Sequence, residues 1–152
     1  MGPEQDAHSP QELTKRSFEA ADSGDFDRMI SFYGPQSVFD MAPWGLGTYT
    51  GLAAIRAFFE DWIGAFDEFE MKLEAMEDLG DGLVFAVAWQ LARPAGGRSH
   101  LRLRHAAIAE WRDGVAVRVT NYPDIEQARG IARRLADSRS ATGRSSSRRA
   151  SG

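Results

Sequence analysis

The feature that most constrains this chain is the punctuation of its second half. Apolar and polar residues alternate through four runs, Phe69–Leu79, Leu83–Arg93, Arg98–Trp111 and Val115–Tyr122. The breaks between them are Gly80-Asp81-Gly82, Pro94-Ala95-Gly96-Gly97 and Asp113-Gly114. Asp-Gly and Gly-Gly between alternating runs signal hairpins, because a tight reversal needs residues that tolerate positive φ. The spacing predicts one antiparallel meander, and strands this long must twist and curl.

The first half reads as helices around a short strand. Ser9-Pro10-Gln11-Glu12 is a capping box with proline at the first helical position, which predicts a helix over 10–22. Ser23-Gly24-Asp25 breaks it and starts a second, Phe26 to Tyr33, which Gly34-Pro35 ends. Ser37 to Met41 reads as a strand with Val38 and Asp40 on one face and Phe39 and Met41 on the other. Pro43 to Gly47 is a loop bearing Trp44. Leu52 to Phe66 carries Ile55, Phe58, Phe59, Trp62 and Phe66 at helical spacing. After the last strand, Asp124 caps a closing helix to about Ala136.

The expected fold class is α+β: a curved antiparallel sheet wrapped by N-terminal helices into a cone, with a closing C-terminal helix. The boundaries expected are a flexible N-terminus over 1–9, a single domain over 10–136 and a disordered Ser/Arg-rich tail over 137–152.

Composition narrows the chemistry. With no cysteine among 152 residues, disulfides, a thiolate nucleophile and Cys-based zinc sites are excluded. No apolar run approaches the roughly 18 residues of a membrane span, and Met1 to Pro10 lacks the apolar core of a signal peptide. A cytoplasmic protein with no membrane partner is expected. The net charge of −4 is unevenly spread. Residues 133–152 carry six arginines against Asp137, so the body before them holds 12 basic and 21 acidic residues. An acidic body argues against nucleic acid as its ligand.

Several stretches together resemble a known family. They are Gly24-Asp25, Val38-Phe39-Asp40, Gly51-Leu52-Ala53-Ala54-Ile55-Arg56-Ala57-Phe58-Phe59, Trp111-Arg112-Asp113-Gly114 and Asn121-Tyr122-Pro123-Asp124-Ile125-Glu126-Gln127-Ala128. In this order and spacing the chain resembles SnoaL-like domain proteins of the nuclear-transport-factor-2-like superfamily, over roughly residues 10–136. Relatives include ketosteroid isomerases, limonene epoxide hydrolases and polyketide cyclases. The resemblance implies the cone fold and a homodimer packed through the sheets, while the fold itself hosts many chemistries.

Residue by residue, the resemblance is selective. Asp40 falls where ketosteroid isomerases place their proton-shuttling aspartate, but their two oxyanion-hole donors align with Ser17 and Ala107. An epoxide hydrolase-like activity would need an Asp-Arg-Asp set, yet Asn121 occupies one position and Val87–Trp89 offers neither Asp nor Arg. The dehydratases' histidine pair is matched only by His105.

The strand pattern and the resemblance together predict a pocket for a small hydrophobic molecule, without cofactor or metal. The candidate catalytic residues are Asp40, His105 and Asn121. Phe18, Phe59 and Trp62 would form the floor, Leu103 and Val119 the walls, and Trp44 and Tyr49 the mouth. In an apolar cavity the Asp40 pKa should rise and suit it to proton transfer; otherwise Asp40 is an ionised anchor for the Pro43–Gly47 loop. His105 either acts on substrate or is a satisfied core histidine. Asn121 either holds a carbonyl or bridges strands. Trp89 reads equally as lining or outer face. Two functions follow: cofactor-free proton transfer (isomerase, cyclase or dehydratase type) on a carbonyl-bearing substrate, or a non-catalytic ligand-binding or dimerisation domain.

Overall fold

The computed structural model describes residues 9–150, with side chains described through residue 141. The elements run α1 (Pro10–Ser23), α2 (Phe26–Ile30), β1 (Val38–Asp40), a 3-10 turn (Ala42–Trp44), β2 (Thr48–Thr50), α3 (Leu52–Gly64), β3 (Phe66–Gly80), β4 (Leu83–Pro94), β5 (Leu101–Arg112), β6 (Val115–Tyr122) and α4 (Ile125–Ala150). One six-stranded sheet forms in the order β2-β1-β6-β5-β4-β3. The meander β3-β4-β5-β6 is antiparallel, as its turns predict. The sheet as a whole is mixed, because β1 joins β6 in parallel.

Local chemistry sets these limits. The Ser9 hydroxyl accepts from the Glu12 N–H at 3.1 Å and starts α1, and Asp124 does the same for the Gln127 N–H at 3.0 Å. Two hairpins turn on Asp-Gly pairs with both residues at positive φ, Asp81-Gly82 and Asp113-Gly114, the geometry that matches the strand twist. Register shifts along β3 between Phe66 and Glu68, Leu73 and Ala75, and Asp78 and Gly80 bend it around the helices.

Each face of the sheet buries its own cluster. Leu83, Phe85, Val87, Ala106 and Ile108 pack outward against Ala128 and Ala132 of α4. Val84, Ala107, Ala109 and Val119 face inward toward Leu13 of α1 and Trp111. A third cluster joins α1, α2 and α3 through Ala20, Met29, Ile55 and Phe59. On β4 the large residues thus go outward and the small ones inward, which leaves space beneath the helices.

Two sequence expectations change. The short strand Thr48–Thr50 falls between the elements expected from the sequence, since its pairing to β1 is a long-range property. The closing helix passes Ala136 and continues to Ala150. Arg139 gives a physical reason: it pairs with Glu110 of β5 and donates to the Asp81 carbonyl at 3.0 Å, tying the helix to the sheet beyond Ala136. The flexible segment expected over 1–9 lies outside the described residues except for Ser9, as do Ser151 and Gly152.

Candidate functional site

A cavity of about 110 Å³ lies between the inner face of the sheet and the three N-terminal helices. α3 supplies Phe58, Phe59 and Trp62, while α1 supplies Thr14, Ser17 and Phe18. Trp44, from the turn after β1, sets its ring edge-on to His105 with centroids 6.3 Å apart. No Asp, Glu, Lys or Arg lies among the lining residues.

The polar groups of the sheet wall fall on a diagonal. Gln90 of β4, His105 of β5 and Asn121 of β6 all line the cavity, and the register places Ala88 opposite His105 and Ala107 opposite Asn121. Trp62 Nε1 donates to Gln90 Oε1 at 2.9 Å. Gln90 Nε2 lies 3.4 Å from His105 Nδ1. Burial, which leaves His105 3% exposed, pushes its pKa down to about 4, so the ring is neutral near pH 7. Asn121 Nδ2 donates to the Asp40 carbonyl at 3.4 Å and so bridges β6 to β1. Tyr33 also lines the space, and desolvation raises the pKa of its hydroxyl.

Of the residues expected to share the site, His105, Asn121, Phe18, Trp44, Phe59, Trp62 and Val119 come together. Asp40 does not. Phe39 of β1 lines the cavity, as does Met41 just after the strand, and alternation turns Asp40, the strand neighbour of Phe39, to the other face. The Asp40 carboxylate accepts from the Ala42 N–H at 2.9 Å, from Thr48 Oγ1 at 3.1 Å and from Arg118 at 2.5 Å. Its expected upward pKa shift is reversed. Desolvation raises it, but the hydrogen bonds from Ala42 and Thr48 and the charge of Arg118 outweigh burial and hold it below the usual carboxylate range. The loop-anchor reading is therefore the one the structure supports.

Tyr49 and Leu103 also lie outside the lining. The Tyr49 hydroxyl donates to the Leu46 carbonyl at 2.7 Å while its ring packs on Phe58 at 4.7 Å, bracing the loop from behind. Leu103 has the expected alternation with His105, but it lies one step nearer the exposed start of β5 than the cavity reaches. Trp89 faces outward, donating to Glu74 at 2.6 Å beneath the Arg102 guanidinium. No Asp or Arg stands among the lining residues, so an Asp-Arg-Asp set of the epoxide hydrolase kind is not assembled there.

Sequence reasoning missed Gln90. The available signal was its place on β4 in alternation with Ala86 and Ala88, the small-residue face that the His105 face must meet. Among the described residues no group of His, Asp or Glu stands together in a way that would hold a metal.

A model of the SnoaL-like domain matches residues 14–119, more than half the chain. No curated protein matches it. Among solved structures, TerC co-crystallised with polyporic acid is 19% identical with a TM-score of 0.65, covering 82% of this chain and 98% of its own. A candidate SnoaL-like polyketide cyclase from Shewanella denitrificans is 17% identical with a TM-score of 0.66, covering 83% and 97%. A protein of ketosteroid isomerase-like fold from Catenulispora acidiphila, in complex with trimethylamine, is 13% identical with a TM-score of 0.66, covering 73% and 84%. At these identities the likeness is one of fold. No helix among the described residues is long and apolar enough to cross a membrane.

Proposed function

The chain belongs to the SnoaL-like domain family, and on that premise we propose that it binds a small, neutral, largely apolar molecule and polarises its carbonyl oxygen through His105. One observation carries this reading: a recessed, partly open cavity with aromatic and aliphatic walls, a few polar groups and no charged side chain in its lining. A charged ligand would be stripped of water there without a counter-ion, at a cost that neutral ligands do not meet. Size narrows the class further. An apolar cavity of roughly 150 Å³ holds benzene, so a space of about 110 Å³ that is open on one side suits a single ring whose far edge reaches the mouth. That TerC and the Catenulispora acidiphila protein were crystallised with small molecules supports small-molecule binding, and the preference for a neutral one rests on the lining of this cavity.

The test compares three ligands of one shape, cyclohexanone, cyclohexanecarboxylate and cyclohexylammonium, by quenching of tryptophan fluorescence. The ketone is expected to bind at least about tenfold more tightly than either ion. Equal binding of the three, or none, sinks the reading.

A second reading is cofactor-free proton transfer on the same ligand, with His105 donating to the carbonyl oxygen and, since the lining holds no carboxylate, a water molecule or hydroxide from solvent taking the α-proton. A neutral imidazole against a carbonyl oxygen stabilises negative charge as it develops. Removing one such donor costs about a hundredfold or more in rate, so exchange of ketone α-protons for deuterium should slow by that factor in His105→Gln. Undetectable exchange by the parent protein leaves binding as the function. The homodimer belongs with these proposals. Leu91, 37% exposed on the outer face of β4, supports a sheet-to-sheet contact, and a monomeric mass on sedimentation would exclude it.

A further inference from the structure

The polar atoms of the cavity wall have roles fixed by their partners. An indole N–H only donates, so the Gln90 atom 2.9 Å from Trp62 Nε1 is the carbonyl Oε1. The amide nitrogen of Gln90 must then face His105 Nδ1. An amide nitrogen donates, so Nδ1 accepts, and the proton of the neutral ring sits on Nε2. Asn121 is fixed in the same way. The main-chain carbonyl of Asp40 only accepts, so Nδ2 faces it and Oδ1 remains an acceptor.

Neither His105 Nε2 nor Asn121 Oδ1 has a protein partner among the described residues. Neither is sealed off, because the one fully enclosed side-chain nitrogen or oxygen without a partner among those residues is Trp44 Nε1. Both side chains line the cavity. Since Asn121 stands opposite Ala107, His105 is its diagonal neighbour on the same face, about 7–8 Å away between Cα atoms. One donor and one acceptor therefore stand side by side on a single wall.

We propose that the cavity is built for a ring-sized neutral molecule bearing both a carbonyl oxygen and a hydroxyl group. The carbonyl oxygen accepts from His105 Nε2–H, and the hydroxyl donates to Asn121 Oδ1. Gln90 and Trp62 are positioning residues that hold the imidazole in the donating tautomer. The inference rests on the reading above that the occupant is small and neutral, and it adds the hydrogen-bonding pattern.

The experiment has two parts. Nitrogen NMR of the ligand-free protein reports which ring nitrogen of His105 is protonated. Titrations with cyclohexanone and with 2-, 3- and 4-hydroxycyclohexanone then compare affinities in the parent and in Asn121→Leu. The expected results are a protonated Nε2, a mixture of tautomers in Gln90→Leu, and one hydroxyketone bound about five- to tenfold more tightly than the ketone. That gap should close in Asn121→Leu. A ring protonated at Nδ1 overturns the proposal before any ligand is added, and needs no variant to fold. Equal affinities for ketone and hydroxyketones, or a gap that survives Asn121→Leu, overturn it while sparing the neutral-ligand reading. Failure of all four compounds to bind overturns both.

Discussion

Asp40 and Arg118 meet at 2.5 Å with their charged groups turned away from the cavity. The carboxylate holds the start of the Trp44 turn through the Ala42 N–H, and β2 through Thr48. Its contribution is to stability, and the sign follows from its pKa. A carboxyl group whose folded pKa lies below its unfolded value stabilises the fold above the unfolded value, about 3.9, and loses that contribution as pH falls through the folded one. Asp40→Asn should cost about 1–3 kcal/mol near neutral pH, with the difference from the parent shrinking once pH drops below about 4. Thermal melts across that range check the prediction. The same variant should leave cyclohexanone binding within twofold or so, whereas a proton-shuttling aspartate would couple to the ligand.

His105 acts in the pH window just above that of Asp40. Its folded pKa is about 4, against about 6.5 for an unperturbed histidine. As pH falls through the upper value the unfolded chain takes up a proton that the folded protein refuses, so stability declines. The loss levels off near the lower value, with a total of about 3 kcal/mol at most. His105→Gln should flatten the pH dependence of Tm between about 6.5 and 4. An unchanged slope would mean that the ring is not held neutral.

Ala107 tests whether the cavity is the binding site. It lines the wall opposite Asn121 and is almost fully buried. Ala107→Leu adds three carbons into free space instead of a filled core, so stability should stay within about 1.5 kcal/mol of the parent. Ligand binding should be lost. Denaturant unfolding alongside the fluorescence titration separates the two effects, and retained binding would place the ligand elsewhere.

The sequence carried the meander because a type of turn is a local property: Asp81-Gly82 and Asp113-Gly114 need only their own backbone preferences. Alternation also separated Phe39 and Met41 from Asp40, yet it could not say which face met the cavity. That depends on β1 pairing in parallel with β6, where Phe39 lies opposite Val119 and Asp40 opposite Thr120. The resemblance to isomerases favoured the wrong face for Asp40, because a shared position does not carry a shared environment. Gln90 was hidden beside Trp89 until the register of β4 and β5 was known. The continuation of α4 rests on Arg139 reaching Glu110, a partner 29 residues away, which no local pattern reveals.

The two glycines around Asp81 make the sharpest test of how the closed end of the sheet is built. Both sit at positive φ, 86° for Gly80 and 79° for Gly82. A Cβ at Gly80 meets nothing within 4 Å, so Gly80→Ala should cost only the backbone strain of about 1–2 kcal/mol. A Cβ at Gly82 would stand 2.1 Å from the Trp111 carbonyl oxygen, which is main chain and cannot swing aside. Trp111 is also bound there, its N–H donating to the Gly82 carbonyl at 2.8 Å. Gly82→Ala must therefore push β5 away from the turn and break that bond as well. A loss of at least about 4 kcal/mol is expected, a size reserved for a few identifiable mechanisms. Urea unfolding of the two variants side by side measures the difference. Equal costs would show that strain alone governs the turn and that the close approach to Trp111 relaxes freely.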